Sequence, residues 1–438
     1  MELTSAKKRV VVTGIGIVSP VGNNRESTWR AIVNGESGIR KITHFDTKDC
    51  TTQIAGEVKN FNPCFILETP LYPRGKKGEA LIQPISQRDQ KRMDRFIHLA
   101  VAASVEAYAD SGIDHFRDQM DPEMVGVNIG VGMGGLPAME EAHQTLLTKG
   151  FRRITPYFIP QVIANLAAGH VSIILNTQNI NYCSVSACAS SAHSIGESFR
   201  IIQRGDASVM IAGGTEAVVC ALSIGGFAVM RALSTRNEMP EKASRPFDSD
   251  RDGFVLAEGA ASLILEEYEF AKNRGAKIYA ELCGYGASSD AFHITHPMEE
   301  GDGGYRAMKL ALKESGLSPS DANYVNAHGT STPLGDIQES KAIARLLWEA
   351  KNLHVSSTKS MTGHMLGAAG AVESAFSVLA IRDGIVPPTI NLENIDPACA
   401  DSGLNFTPNI AIRKKVELAM SNSFGFGGTN VSLAYRAL

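Results

Sequence analysis

Cys188, His328 and His364 bring a thiol and two imidazoles, the side chains of nucleophilic and acid–base chemistry, and each stands among small residues. Cys188 lies in SVSACASSAHSIGESF, residues 184–199, where a strand-like apolar run, Tyr182 to Ala187, gives way to a helical one. Ala189, Ala192, Ile195, Phe199 and Ile202 keep an i, i+3, i+4 rhythm, and Gly205 closes it as a C-cap. This predicts a cysteine at a helix N-terminus, where the positive end of the dipole lowers a thiol pKa from its usual value of about 8.5. A buried structural cysteine is the competing reading of this segment taken alone.

The histidines lie more than a hundred residues further on. His328, in VNAHGTSTPLGD, ends a short apolar strand and precedes a Gly-Thr-Ser-Thr-Pro loop. His364, in SSTKSMTGHMLGAAGAVE, shares with Lys359 the flanks of a Ser-Met-Thr-Gly turn that leads into a Gly/Ala-rich helix. Either imidazole alone reads as a satisfied core or surface residue; two in such settings beside one cysteine point to nucleophilic catalysis.

Six segments in order resemble the β-ketoacyl-acyl carrier protein synthases, condensing enzymes of the thiolase fold. They are RVVVTGIGIVSPVG from Arg9, SACASSAH around Cys188, RPFDSDRDGFVLAEGA from Arg245, NAHGTSTPLGD, STKSMTGHMLGAAGAVE, and NSFGFGGTN from Asn422, and the likeness runs from Arg9 to Leu438. The Cys, His, His set is similar to the elongating members; the initiating type has asparagine for the second histidine, and thiolases use a second cysteine.

The resemblance implies a role for each matched residue. Cys188 carries the acyl chain, and His328 and His364 donate hydrogen bonds to the enolate formed when a malonyl thioester loses carbon dioxide. The amides of Cys188 and Phe426 hold the second oxyanion, with the glycines of FGFGG permitting the close approach. Lys359 and Glu373 orient and charge the site, or form a plain structural salt bridge. Thr330, Thr332 and Thr295 offer hydroxyls to a phosphopantetheine arm, although turn hydroxyls also cap backbone. Phe426 and Phe227 gate the acyl channel and Met133 lines the acyl pocket. Met133, ASSDAFHITHP and VLAEGA lean to the type II synthases, whereas SACASSAH and AMSNSFGFGG have type I character.

The same resemblance implies an acyl carrier protein as partner, docked on Arg88, Lys91 and Arg92, with Arg95 on the same face of one helix and Arg231 nearby; a solvated helix face is the bland reading. It also implies a homodimer that buries the strand before Cys188, and no bound cofactor, because the carrier brings the phosphopantetheine. Some members hold a structural monovalent cation, whose ligands no motif of this chain marks.

The elements that must position these residues are those of a glycine-rich globular chain: 438 residues, 44% hydrophobic, 20% charged, with 41 glycines. A length prior alone suggests about three domains. An echo of RVVVTGIGIVSPVG in KIYAELCGYGASSD, from Lys277, supports two instead. The expected fold is therefore α/β, a thiolase-like five-layered αβαβα arrangement of two duplicated halves. Residues 1–276 hold the nucleophile and a Pro/Gly-punctuated insertion at 62–90, whose LYPRGKKGEALIQP matches nothing, and residues 277–438 hold the two histidines.

Other function classes are disfavoured. The formal net charge of -4, with no extended basic stripe, argues against nucleic acid. No apolar run approaches the length of a membrane span and the first residues lack a signal-peptide pattern, so a cytoplasmic protein, bacterial rather than a mature organellar form, is expected. Seven dispersed cysteines without a CxxC indicate neither a disulfide framework nor a zinc site. TGIGIVSPVG lacks the GxGxxG spacing of a dinucleotide fingerprint, and DSDRDGF lacks the twelfth-position Glu of a calcium loop, so no metal is assigned. The rivals are a stand-alone polyketide ketosynthase, a chain-length-factor-like partner, which would lack the cysteine, and a cysteine protease, which would leave the second histidine unexplained.

Overall fold

Strand β1 (Val10–Val18) is buried along its whole length, as a near-continuous apolar run requires of a strand covered on both faces, with Thr13 bonded to Glu266. In the computed structural model, which describes residues 7–63 and 87–438, it lies in the middle of a ten-stranded sheet. The other strands are β2 (Val125–Val131), β3 (Asn181–Tyr182), β4 (Val209–Glu216), β5 (Gly259–Glu267), β6 (Ala280–Ser289), β7 (Tyr324–Asn326), β8 (His354–Ser356), β9 (Leu418–Gly425) and β10 (Thr429–Arg436).

Their order is β8-β7-β9-β10-β6-β1-β5-β4-β2-β3. Read outward from the β1/β6 seam, the two sides repeat one another. β1–β5–β4 and β6–β10–β9 are antiparallel runs, and β4–β2–β3 and β9–β7–β8 are parallel ones. The seam is short, pairing Val10, Val11 and Val12 with Leu282, Glu281 and Ala280.

Helices follow the same repeat. α1 (Arg95–Ser111) and α2 (Leu166–Leu175) cover the outer face of the first side, and α4 (Asp302–Ser315) and α5 (Pro333–Leu347) that of the second. Between the sides lie α3 (Ser190–Arg204) and α6 (Ala369–Asp383), giving five layers, α/β/α/β/α. α6 is buried on every face from Ala369 to Ala380, which accounts for its small residues and weak amphipathic pattern.

The sequence echo has a packing cause. A Cβ on Gly14 or Gly16 would collide with the carbonyl oxygens of Ala107 and Ala103 in α1, and one on Gly284 or Gly286 with those of Ala311 and Ala307 in α4. Each half thus spends two glycines, spaced two apart in a strand, to let its outer helix lie directly on the sheet.

Each central helix is entered through a single 3-10 turn whose first residue is left-handed. Ala187 (φ 49°) opens Ala187–Ala189 before α3, and Leu366 (φ 43°) opens Leu366–Ala368 before α6. The predicted helix with its Gly205 cap is present, Gly205 adopting φ 84°. The strand expected over Tyr182–Ala187 is shorter: Asn181–Tyr182 pairs, Ser184 O still accepts from Val131 N at 3.1 Å, and the chain turns at Ala187. The proposed insertion lies largely outside the described residues.

Candidate active site

Cys188 is the middle residue of the first elbow, two positions before α3 rather than inside it. The elbow is pinned by Ser190, whose Oγ accepts from Ser186 N at 2.9 Å and donates to Ala187 O at 2.7 Å. Cys188 Sγ lies 3.1 Å from His364 Nε2. Burial pushes the thiol up to about 12; Lys359 and the amides of Phe426 and of Cys188 itself oppose this, and Glu216 adds to it. The helix position alone predicts a lowered thiol; burial acts in the opposite direction and leads here. The two amides bearing on the sulfur are those expected to hold an oxyanion.

His328 follows β7 by two residues, as its strand-end placement predicted, and His364 follows the short helix Lys359–Thr362. Their rings meet edge to face, with centroids 5.4 Å apart and an 85° interplanar angle. Burial first, then the charge of Lys359, holds both imidazoles well below their ordinary pKa, so both are neutral. Backbone pairing fixes His364, its N–H donating to Val255 O at 2.7 Å and its carbonyl accepting from Ala257 N at 2.9 Å. Phe254 packs edge-on against the His364 ring, and Phe227 against Phe254.

Two buried carboxylates and one ammonium hold the His328 loop. Lys359 Nζ donates to His328 O at 2.6 Å and ion-pairs with Glu373. Glu339 accepts from His328 N at 2.8 Å, Gly329 N at 2.7 Å and Asn422 Nδ2 at 3.2 Å. Burial pushes the carboxyls of Glu373 and Glu339 up to about 7, against the pull of Lys359 and, for Glu339, of its amide donors. Glu339, and Glu216 at the end of β4, escape a sequence reading: each is one acid in an ordinary strand or helix, and the signal of its role is burial.

The three catalytic candidates sit together in a cavity of about 600 Å³. Thr330 and Thr332 line it with hydroxyls 3.0 Å apart, and Thr295 lines it as well. Met133, Phe227 and Phe426 are also in the wall, Phe426 being 38% exposed. Its loop is tied to the neighbouring one by Gly427 N to Ile294 O at 2.7 Å and Asp290 N to Gly428 O at 2.8 Å. The DSDRDGF segment braces a neighbouring loop. Asp248 accepts from Arg245, and Arg251 reaches Thr332 O, Pro333 O and Asp396, bracing the Thr330–Thr332 loop.

The basic residues do not form the single helical face expected. The helix stops at Gln90, and α1 begins afresh after Asp94, whose side chain caps Phe96 N. Arg88 and Lys91 are exposed, Arg92 pairs with Asp89, and Arg95 turns inward to Glu258 at 2.8 Å. Arg231 is exposed and lines the cavity. Among the described residues no helix is long and apolar enough to cross a membrane.

Comparison with known proteins agrees with this geometry. Residues 7–271 match the family model for the beta-ketoacyl synthase N-terminal domain, and residues 279–393 that for its C-terminal domain. The 3-oxoacyl-[acyl-carrier-protein] synthase 2 of Vibrio cholerae is 47% identical over 436 residues, covering 99% of this chain and all of its own. That of Coxiella burnetii is 48% identical over 428 residues, 98% of both chains. Among solved structures, a type II PKS acyl-carrier protein in complex with its ketosynthase bound to the hexaketide contains a chain that superposes with a TM-score of 0.86 at 34% identity, covering 99% of this chain and 100% of that one. With both domain models matched in order and relatives aligned end to end, this chain belongs to the β-ketoacyl synthase family.

Proposed function

We propose that this chain is an elongating 3-oxoacyl-[acyl-carrier-protein] synthase of the type II kind: it takes an acyl chain onto Cys188 and joins to it two carbons from a malonyl thioester. The observation that carries the reading is the 3.1 Å contact of Cys188 Sγ with His364 Nε2, on the floor of a cavity that also holds the perpendicular, neutral imidazole of His328. A hydrolase needs one imidazole as a base; two neutral imidazoles beside one sulfur fit an enolate oxygen.

In the first step the sulfur attacks the acyl carbonyl, the carrier thiolate departs, and the thiol proton ends on that thiolate. Because the resting thiol is held neutral, deprotonation accompanies attack. In the second step the bond from the malonyl methylene to its carboxylate breaks, carbon dioxide leaves, and the electron pair becomes an enolate whose oxygen accepts from His328 and His364. In the third, the enolate carbon attacks the acyl-Cys188 carbonyl, and the amides of Cys188 and Phe426 meet the oxyanion. Collapse expels the Cys188 thiolate, which takes up one proton from solvent, and releases a β-ketoacyl thioester.

The remaining assignments belong to the same reading. Lys359 and Glu373 position the His328 loop, Thr330, Thr332 and Thr295 take the pantetheine arm, Phe426 with Phe227 gates the channel, and Met133 meets the acyl chain. Arg231 at the cavity, with Arg88, Lys91 and Arg92, receives an acidic acyl carrier protein; the carrier bound to a structural relative supports this. No resident cofactor is required, since the carrier supplies the arm. A cytoplasmic homodimer is proposed, supported by β3 lying at the edge of the sheet beside exposed Ile180 and Val185. The mirrored strand order supports a boundary between halves at 276/277. Identities of 47–48% to the synthases, against 34% to the PKS ketosynthase structure, favour fatty acid over polyketide elongation.

Intact-protein mass spectrometry with an acyl-carrier protein thioester tests the reading. A mass gain that Cys188→Ala abolishes, discharged by malonyl-carrier protein into a two-carbon-longer product, supports it; no adduct with short or long chains refutes it.

A further inference from the structure

Beside the cavity lies a buried carboxylate that the mechanism above does not use. Glu216 is the last residue of β4 and is 0% exposed. Its carboxylate accepts four backbone amides: Gly132 N at 2.9 Å, Met133 N at 3.1 Å, Gly134 N at 3.1 Å and Gly367 N at 3.2 Å. It makes no ion pair among the described residues.

The first three donors form the turn leaving β2, whose middle residue Met133 is a wall of the cavity. The fourth is in the elbow before α6, next to Leu366, a second apolar wall, and three residues from His364. The two turns come from different halves of the chain. They approach so closely that a Cβ on Gly132 or on Gly367 would collide with the carboxylate, and one on Gly367 with Gly132 N as well. Successive amides converging on one point make a cradle that elsewhere receives an anionic ligand; here the chain fills it with its own side chain. Both carboxylate oxygens are occupied by N–H donors, so Glu216 has no part to offer substrate directly.

We propose that Glu216 is a positioning residue for acyl-chain selection: by pinning the Met133 turn to the Leu366 turn, it sets the spacing of the two apolar walls between which the chain on Cys188 extends. This rests on the condensing-enzyme reading. One methylene in an apolar pocket is worth about 10–200-fold in discrimination, so a small displacement of a wall is visible in a chain-length profile.

The test is Glu216→Gln, which keeps the shape but turns one acceptor oxygen into a donor facing amide N–H groups. Acylation of Cys188 is followed by mass spectrometry across a series of acyl-carrier protein thioesters of increasing length, with thermal unfolding measured alongside. The expected result is a profile whose preference between adjacent long chains shifts about tenfold while the shortest chain is taken up at close to the wild-type rate. An unchanged profile, or an equal fall at every length, overturns the proposal, the second because it is the signature of general loss of structure. Should Glu216→Gln not fold, Gly132→Ala presses on the same carboxylate from the turn side and is judged on the same two outcomes. Failure of the wild-type protein to take any acyl group onto Cys188 instead sinks the condensing reading, so the two failures are told apart.

Discussion

Lys359 reaches the carbonyl oxygen of His328 at 2.6 Å, so the position of one imidazole of the candidate site depends on an ammonium that is only 1% exposed and ion-paired with Glu373. Lys359→Met leaves Glu373 buried without its partner, and the expected loss of stability is about 3–5 kcal/mol. Removing both charges, in Lys359→Met with Glu373→Gln, restores part of that loss. Urea unfolding of the three proteins measures it; a single variant within about 1 kcal/mol of wild type contradicts a structural dependence on the pair.

Neutral imidazoles at 328 and 364 set the pH behaviour. Decarboxylation of malonyl-carrier protein is expected to show no fall centred on the ordinary histidine pKa of about 6.5 as pH is lowered through it. Stability moves differently. The unfolded chain takes up protons below about 6.5 that the folded imidazoles refuse, so the contribution of these residues is intact above that pH and is lost as pH falls towards their depressed folded values. A decarboxylation profile with a midpoint near 6.5 would show that a protonated histidine is not being avoided.

Half-reactions separate the roles of the cavity residues. Cys188→Ala should form no acyl adduct. His364→Ala should still acylate, more slowly because the imidazole contacts the sulfur, but should lose about 10²–10³-fold in decarboxylation, the usual effect of removing one oxyanion donor. Equal losses in both half-reactions would mean that His364 serves only the thiol.

Met133→Phe adds bulk to an apolar wall and should lower activity with the longest accepted chain by about tenfold or more, leaving shorter chains little changed. A product distribution identical to wild type would remove Met133 from the acyl path.

Gly16→Ala and Gly286→Ala test the packing repeat. Each places a methyl against a helix carbonyl, and each should cost about 1–3 kcal/mol or more from overpacking. Calorimetry showing either variant as stable as wild type would mean that the helix has room to lift from the sheet.

The chemistry-bearing side chains were legible because their segments are locally unusual: a lone cysteine at a strand-to-helix change, and imidazoles fenced by small residues. The supports were not. Glu339 sits in an ordinary IQES stretch and Glu216 in TEAV, and what makes each a clamp is the convergence of amides from segments far away in the chain. The basic run misled for a local reason, since Asp94 acts as an N-cap and restarts the helix, turning Arg95 away from its neighbours. The thiol misled for a general one: helix position can be inferred from pattern, but desolvation depends on the whole enclosure. The duplicated halves left the spacing of paired glycines as their trace, because there contact with a helix backbone dictates residue type.

The paired elbows of the fold share a backbone path but not an occupant, with Cys188 at the centre of one and Gly367 at the centre of the other. Where the first presents sulfur to the cavity, the second turns its amide to Glu216 and leaves no volume for a side chain. A doubled scaffold thus yields single-copy reactivity. Under the proposed function the stoichiometry that follows is one acyl group per polypeptide, with the second copy of the elbow retired from chemistry to serve as the abutment against which the first one works.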